Sequence, residues 1–309
     1  TLLSILEDSG YMARAAFIMD QLLRKIGLSG RAFVPMLMGF GCTVPAVMGT
    51  RILESKKDKI LTILITPFMS CSAKMPVYAL FISTFFVGHE PLVIFSIYLF
   101  GIVIAVLTAF LFKNTILKGE TSSFVMELPP YRLPTIKTLW FHIWERVKDF
   151  ITKAGTVLLA ATIIIWFLQS FDSSMQMVTD SSQSILAIVG KTIAPVFTLC
   201  GFGDWKSAVS LLTGLAAKES VVSTMSILYN SSSGLGMSQM LASVFSPISA
   251  YAFMVFVLLY TPCIAALSTI HKELDSLKWT LVSIFYQLAV AWFFSAFVFQ
   301  FGTLFSRLF

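Results

Sequence analysis

Apolar and polar positions alternate along this chain in long blocks, not in the short periods of a soluble domain. Residues 91–112, PLVIFSIYLFGIVIAVLTAFLF, form an unbroken apolar run. It is long enough to cross a bilayer as one helix. Residues 154–171 and about 279–306 predict two more spans, and Leu2–Leu6 reads as the tail of an earlier one. Residues 60–85 are equally apolar but are interrupted by Pro67 and Pro76, and 248–270 contain Pro262-Cys263. Residues 7–31 differ, because Met12, Ala15, Ala16, Met19, Leu22, Leu23 and Ile26 recur at helical spacing while Arg14, Asp20, Arg24 and Lys25 fall elsewhere. That pattern predicts an amphipathic helix lying in the membrane interface within residues 1–30.

Polar segments separate the blocks: RILESKKDK after residue 50, the region 113–153, a Ser-rich loop with an apolar half-helix over 172–206, NSSSGLGMSQM, and the turn HKELDSLK. Within 113–153 the spacing of Trp140, Trp144 and Val147 predicts a second amphipathic helix.

Two shorter apolar blocks, 31–50 and 207–228, carry residues that no continuous helix favours. In the first, PMLMGFGCTVPAVMGT holds Gly39, Gly41, Gly49 and Pro45. Glycine loosens a helix, and Pro45 removes a donor and crowds the preceding turn. Broken backbone at membrane depth must be buried in protein or line a cavity. A thiol, Cys42, sits at this break, with Met36, Met38 and Met48 nearby. Soft ligands at a broken helix point to an ion site.

A shift of 175 positions lays Ser210–Leu228 over Pro35–Leu53 without a gap. Gly39 meets Gly214, Val47 meets Val222, and Ile52-Leu53 meets Ile227-Leu228. Cys71 in SCSAKMP and Cys263 in TPCIAAL form a second pair. The fold expected is therefore all-α, a polytopic helical membrane protein with two broken-helix repeats. The first covers 31–85 and the second 207–270, within one membrane domain over 1–309.

Composition agrees. The chain is 57% hydrophobic and 12% charged, with mean hydropathy +0.84, against about 25% charged in soluble domains. Its net charge of +6 is spread between spans, which argues against nucleic-acid binding. Residues 113–153 carry seven Lys/Arg and the 51–59 loop carries four, whereas 172–206 carry only Lys191 and Lys206. The basic segments read as cytoplasmic and 172–206 as external, which makes the two repeats inverted. The chain opens at Thr1 in mid-apolar sequence, and a missing N-terminal part is expected.

Four cysteines are too few for a disulfide scaffold. Cys42, Cys71 and Cys263 each stand beside a helix break. One buried Cys is ordinarily a small apolar residue, but three at breaks suggest ligands for a borderline metal. Most of the fourteen Met residues are gap-fillers, with Met36, Met38, Met69 and Met75 as further sulfur ligands to consider. Lys74, Lys218 and Glu219 lie inside apolar blocks, where charge is costly and faces a cavity or partner. Lys74 could instead snorkel to the surface, and Glu219 is expected to point into a polar cavity. His89, His142 and His271 are assigned to loops and make no metal spacing. Gly190-Lys191-Thr192 lacks the earlier glycine of a phosphate loop, because position 185 is Ile. No hydrolase motif is present.

With these residues in view, the chain resembles the transmembrane part of the ferrous iron transport protein B (FeoB) family. The likeness rests on Glu7-Asp8-Ser9-Gly10-Tyr11-Met12-Ala13-Arg14, Gly39-Phe40-Gly41-Cys42-Thr43-Val44-Pro45-Ala46, Cys71-Ser72-Ala73-Lys74-Met75-Pro76-Val77-Tyr78, Gly214-Leu215-Ala216-Ala217-Lys218-Glu219 and Pro262-Cys263. The broken blocks resemble gate motifs, which nucleoside transporters also carry. Family members usually have Arg-Leu where this chain has Lys74-Met75, and an Arg fork is not equivalent to Lys. The family's N-terminal GTP-binding and helical domains are not in this chain.

The resemblance implies Fe2+ transport across the bacterial inner membrane by a multi-pass permeation domain that is not itself an enzyme. Cys42, Cys71, Cys263, Met38 and Glu219 are the metal-site residues expected. No permanently bound cofactor is expected; Fe2+ is substrate, and GTP enters only through the N-terminal GTPase domain of the full-length protein. Membrane lipid, small accessory Feo proteins and a homo-oligomer complete the partners, without nucleic acid. A nucleoside or other solute transporter sharing the gates is the alternative, and would be expected to use polar Asn, Gln or Glu ligands.

Overall fold

A computed structural model of the chain describes residues 10–116, 140, 144, 148, 155–172, 176–177, 183–230 and 237–308. The opening Leu2–Leu6 stretch, Glu7 and Asp8, most of the 113–153 region with Val147 and His142, and the start of the Ser-rich loops lie outside these residues. Trp140 and Trp144 are described as helical and exposed, with their rings stacked at 6.4 Å.

The described residues form helices joined by short 3-10 turns. They are α1 (Tyr11–Lys25), α2 (Phe33–Gly39), α3 (Thr43–Gly49), α4 (Lys56–Ile65), α5 (Met75–Phe85), α6 (Glu90–Thr115) and α7 (Thr156–Ser170). There follow α8 (Ile185–Ile193), α9 (Trp205–Ala216), α10 (Ser220–Asn230), α11 (Met237–Val244), α12 (Pro247–Leu259), α13 (Ile264–Leu274) and α14 (Leu277–Leu308). Among the described residues, four segments are long and apolar enough to cross a membrane: Lys56–Phe85, Glu90–Thr115, Pro247–Leu274 and Leu277–Ser306. The protein is a multi-pass helical membrane protein.

Local sequence explains where these elements begin. Ser55 caps α4 by accepting from the Asp58 amide at 3.4 Å, and Ser184 caps α8 through the Ala187 amide at 3.1 Å. Ser246 and Ser249 bond reciprocally at the start of α12, with Pro247 in its first turn, where a missing N–H costs nothing. Ile185–Cys200 and Trp205–Ala216 meet at 103°. The corner turns on Gly201, whose φ of 83° lies in the left-handed region; a side chain there would also run into the Phe299 ring. The apolar half-helix expected over 172–206 is thus one arm of a bent pair, with Gly190 packed on Val209 of the other arm.

The chain divides into two compact units. The first holds residues 1–71, 102–157 and 265–277; the second holds 72–101, 158–264 and 278–309. Each unit therefore contains the leading helices of one broken repeat and the trailing half-helix of the other. In the first unit, α1 buries Met12, Ala16 and Leu23, while Phe17, Ile18 and Leu22 on its other sides are exposed. In the second, α12 is apolar all round and buried all round, from Ala252 to Leu259. Phe253 and Phe256 of α12 pack on the rings of Phe81, Phe197, Phe202 and Phe245. In lipid such packing rests on close van der Waals fit, since the surroundings are equally apolar.

Candidate site at the helix breaks

The first break comes at Gly39–Cys42. The amides of Gly41 and Cys42 both turn back to the Met38 carbonyl, at 3.0 and 3.1 Å. Cys42 is then fully extended, with φ −155° and ψ 133°, and α3 restarts with the Ala46 amide on the Cys42 carbonyl at 3.3 Å. Pro45 is not the breaker that its sequence position suggests. It sits in the first turn of α3, where its missing donor has no helical partner to lose.

Met38 and Cys42 bracket the break. Met38 is buried in the last turn of α2, and its sulfur would lie 3.4 Å from a Cβ placed on Gly49, so it packs across to α3. Cys42 is half-buried. A second break follows α4. The chain makes a tight turn over Thr66–Phe68, extends at Met69 (φ −66°, ψ 134°), passes through the buried Cys71 and turns again over Ser72–Lys74. Pro67 and Pro76 both stand in first turns around it. Gly39 brings the two breaks together: a Cβ there would be 3.1 Å from Cβ of Met69 and 3.2 Å from Thr66. Cys42, Met38, Met69 and Cys71 all belong to the first unit.

The second copy repeats this backbone. Ala217, 175 positions after Cys42, is extended with φ −144° and ψ 128° between α9 and α10. Gly214, the counterpart of Gly39, lies against Tyr260, so that a Cβ would strike the Tyr260 hydroxyl and Val221. Tyr260 (φ −68°, ψ 164°) opens the break 260–263 that ends at Cys263, which is half-buried. Each hairpin glycine thus packs on the break of the span that follows it.

The chemistry is not repeated. Ala217 replaces the thiol of Cys42, and Lys218 replaces Thr43. Lys218 is buried, at 2% exposure, and donates from Nζ to the Thr261 carbonyl at 2.6 Å. The same ammonium stands 3.0 Å from the centre of the Tyr260 ring. Lys74, also 2% exposed, donates to the Leu258 carbonyl at 2.7 Å. Lys74 does not snorkel; it turns inward. Both lysines thereby hold carbonyls at the end of α12, where a helix exposes four acceptors and the negative end of its dipole. Glu219 goes the other way. It is exposed and, among the described residues, makes no ion pair. The two neighbours have divided the roles, with the base inside and the acid outside.

Further polar contacts sew each unit together, and sequence reasoning missed them. Across the α9–α10 hairpin, Thr213 meets Thr224 at 2.9 Å, and the Tyr229 hydroxyl donates to Asp204 at 2.7 Å beside Ser207 at 3.3 Å. In the first unit, Glu273 on α13 accepts from Arg51 Nε at 2.7 Å and from Lys59 Nζ at 3.0 Å. A charge pattern spread over 222 residues gives no local signal. His271 lies within α13, not in a loop. Gly190 to Thr192 lie inside α8, so their sequence forms no phosphate loop. None of the four cysteines is in a disulfide. Among the described residues, no three His, Cys, Asp or Glu side chains are gathered so as to hold a metal ion.

The profile of the gate family, described as "Nucleoside recognition", matches residues 1–85 and 151–277, and that of "Ferrous iron transport protein B C terminus" matches 94–146. The chain is 45% identical over 303 residues to the "Fe(2+) transporter FeoB" of Staphylococcus aureus (strain MSSA476), covering 98% of this chain and 45% of that protein. It is 45% identical over 297 residues to that of Methanocaldococcus jannaschii, covering 94% and 44%. It is 41% identical over 350 aligned residues to the "Fe(2+) transport protein A/Fe(2+) transporter FeoB fusion protein" of Porphyromonas gingivalis, covering 98% and 41%. The chain spans less than half the length of these curated relatives. No solved structure matches it significantly.

Proposed function

The chain belongs to the gate family and corresponds to the transmembrane part of FeoB proteins, and from that premise we propose that it carries Fe2+ across the bacterial inner membrane. The observation that carries the reading is the pair of breaks in the first unit, which meet where Gly39 packs on Met69 and Thr66, with Cys42 three residues after Gly39 and Cys71 two residues after Met69. An ion entering there would exchange part of its water for sulfur from Cys42, Cys71 and Met38. Fe2+ is borderline in softness and takes thiolate once the thiol is deprotonated. Cys263, at the break of the second repeat, is proposed to line the path without joining that ligand set. Glu219, being exposed, is proposed to attract the cation before binding.

Four bases in the 51–59 loop and Lys113 at the end of α6 put one end of the first unit at the cytoplasm by the positive-inside rule. GTP would act through the preceding part of the full-length protein, with accessory Feo proteins and self-association as further partners. This chain has no recognisable GTP-binding motif, and we assign it no catalytic step.

Protection of thiols from alkylation tests the reading. Under anaerobic, reducing conditions Fe2+ should slow the modification of Cys42 and Cys71 several-fold. Cys200 serves as the internal control, being buried with its sulfur 3.7 Å from the Trp292 carbonyl. Equal rates with and without Fe2+ would defeat the proposal. Protection by nucleosides and not by Fe2+ would transfer it to a solute transporter.

A further inference from the structure

We propose that Lys218 is a tethered cation that permanently fills the second gate, so that only the first gate takes a mobile one. The proposal rests on the transport reading for its meaning but not for its test. The two gates have the same backbone, with Cys42 and Ala217 both extended and Gly39 and Gly214 both packed on the following break. In the second gate an ammonium lies at that break, 2.6 Å from a carbonyl oxygen and 3.0 Å from the centre of an aromatic ring. Carbonyl oxygen and a ring face are the ligands that a desolvated monovalent cation selects. In the first gate the corresponding residue is Thr43, whose side chain bears no charge.

Three further features fit a cation held by its own stem. Lys218 is buried at 2% exposure, so the charge is not shared with bulk water. The Thr261 hydroxyl is also buried and has no hydrogen-bond partner among the described residues, which leaves a second oxygen beside the carbonyl that Lys218 holds. Lys74 brings a second ammonium to Leu258, three residues earlier on the same helix end. Two fixed positive charges at one break oppose the entry of a divalent ion, because like charges repel strongly where water is scarce. The repeat thus supplies two equivalent breaks, of which one is filled by the chain itself.

Chemical rescue tests this in the full-length protein in detergent. Lys218→Ala removes the ammonium and opens a cavity lined by the Thr261 oxygens and the Tyr260 ring. Methylammonium, at about ten times its dissociation constant, should raise the thermal midpoint of this variant by roughly 3 °C over an equal concentration of choline. The wild type should not respond, and neither should Lys218→Met, whose stem refills the cavity without charge. A Lys218→Ala protein that methylammonium leaves unchanged, or unfolded, overturns the proposal, as does an equal gain in Lys218→Met. Because the readout is stability without iron, its failure leaves the transport reading intact. Loss of Fe2+ uptake by the wild type would instead remove that reading and leave the rescue standing.

Discussion

Removing the Glu273 carboxylate should loosen the first unit by an amount that its geometry sets. Glu273 is 5% exposed and receives Arg51, through Nε at 2.7 Å and also through Nη2, together with Lys59 at 3.0 Å. One carboxylate thereby ties the turn after α3 and the first turns of α4 to the end of α13. Breaking a fully buried pair costs about 3–5 kcal/mol, because the abandoned charge cannot rehydrate. Here the abandoned charges can, since Arg51 is 50% and Lys59 25% exposed. What is lost is closer to one or two charge-assisted hydrogen bonds, about 2 kcal/mol in all. Glu273→Gln keeps the size and one acceptor but presents an amide N–H₂ to a cation. We expect its thermal midpoint in detergent to fall by about 5 °C. Arg51→Ala should fall by less, and the double variant by less than the sum, with a coupling near 1 kcal/mol. The wild type should also lose part of the difference at high salt, because the cations are at the surface. Additive losses, or a Glu273→Gln protein as stable as the wild type, would show that these contacts contribute no clamp.

The paired glycines give a second test: Gly39→Ala needs Met69 and Thr66 to give by a few tenths of an ångström and should cost about 1 kcal/mol, whereas Gly214→Ala drives the Tyr260 hydroxyl and Val221 aside and should cost about 2–3 kcal/mol. Equal midpoints for the two variants would contradict the packing. Lys74→Met keeps the stem but uncovers the buried Leu258 carbonyl, and should destabilise by about 1–3 kcal/mol; no change in a melting scan would mean that another donor already serves it. Glu219→Gln should lower Fe2+ uptake with normal protein in the membrane, most strongly at low salt, as expected of an exposed collecting charge; uptake that is unchanged at every salt concentration would remove Glu219 from the path.

Much of this architecture could be read from the sequence because membrane constraints are severe. A helix that must satisfy its own backbone in lipid shows its breaks through Gly, Pro and ionisable residues, and the breaks at Cys42, Ala217 and Cys263 were all visible in that way. The 175-residue shift also lays Cys42 on Ala217, and both residues are extended. The exact turn was harder to see. Pro45 looks like a breaker, but a proline in a first turn is compatible with a helix and only context tells the two apart. The outward direction of Glu219 departs from the sequence expectation for a related reason. Adjacent helix-start residues point about 100° apart, so one of a charged pair faces inward and its neighbour outward. Apolar flanks alone do not say which. The Leu258 and Thr261 carbonyls decide it, because unpaired acceptors at the end of a helix call for a donor, and Lys218 and Lys74 are donors while Glu219 is not. No sequence pattern announces a carbonyl.

The same point explains why the two gates can share a backbone and differ in use. A broken span leaves acceptors that must be satisfied in a medium that offers no water. There are two ways to satisfy them: a bound ion, or a side chain that carries its own charge. An ion can leave and a tethered ammonium cannot, so the first solution makes a path and the second makes a brace. Around α12 and Cys263 the chain has supplied Lys218 and Lys74, and the helix end is fixed. Around Cys42 and Cys71 the position equivalent to Lys218 is Thr43, and the nearby side chains of Met38, Met69 and the two cysteines offer sulfur without a permanent charge. One broken-helix backbone used twice, with a charge at one copy and a thiol at the other, would give one structural joint and, on the function proposed above, one site that a cation enters and leaves.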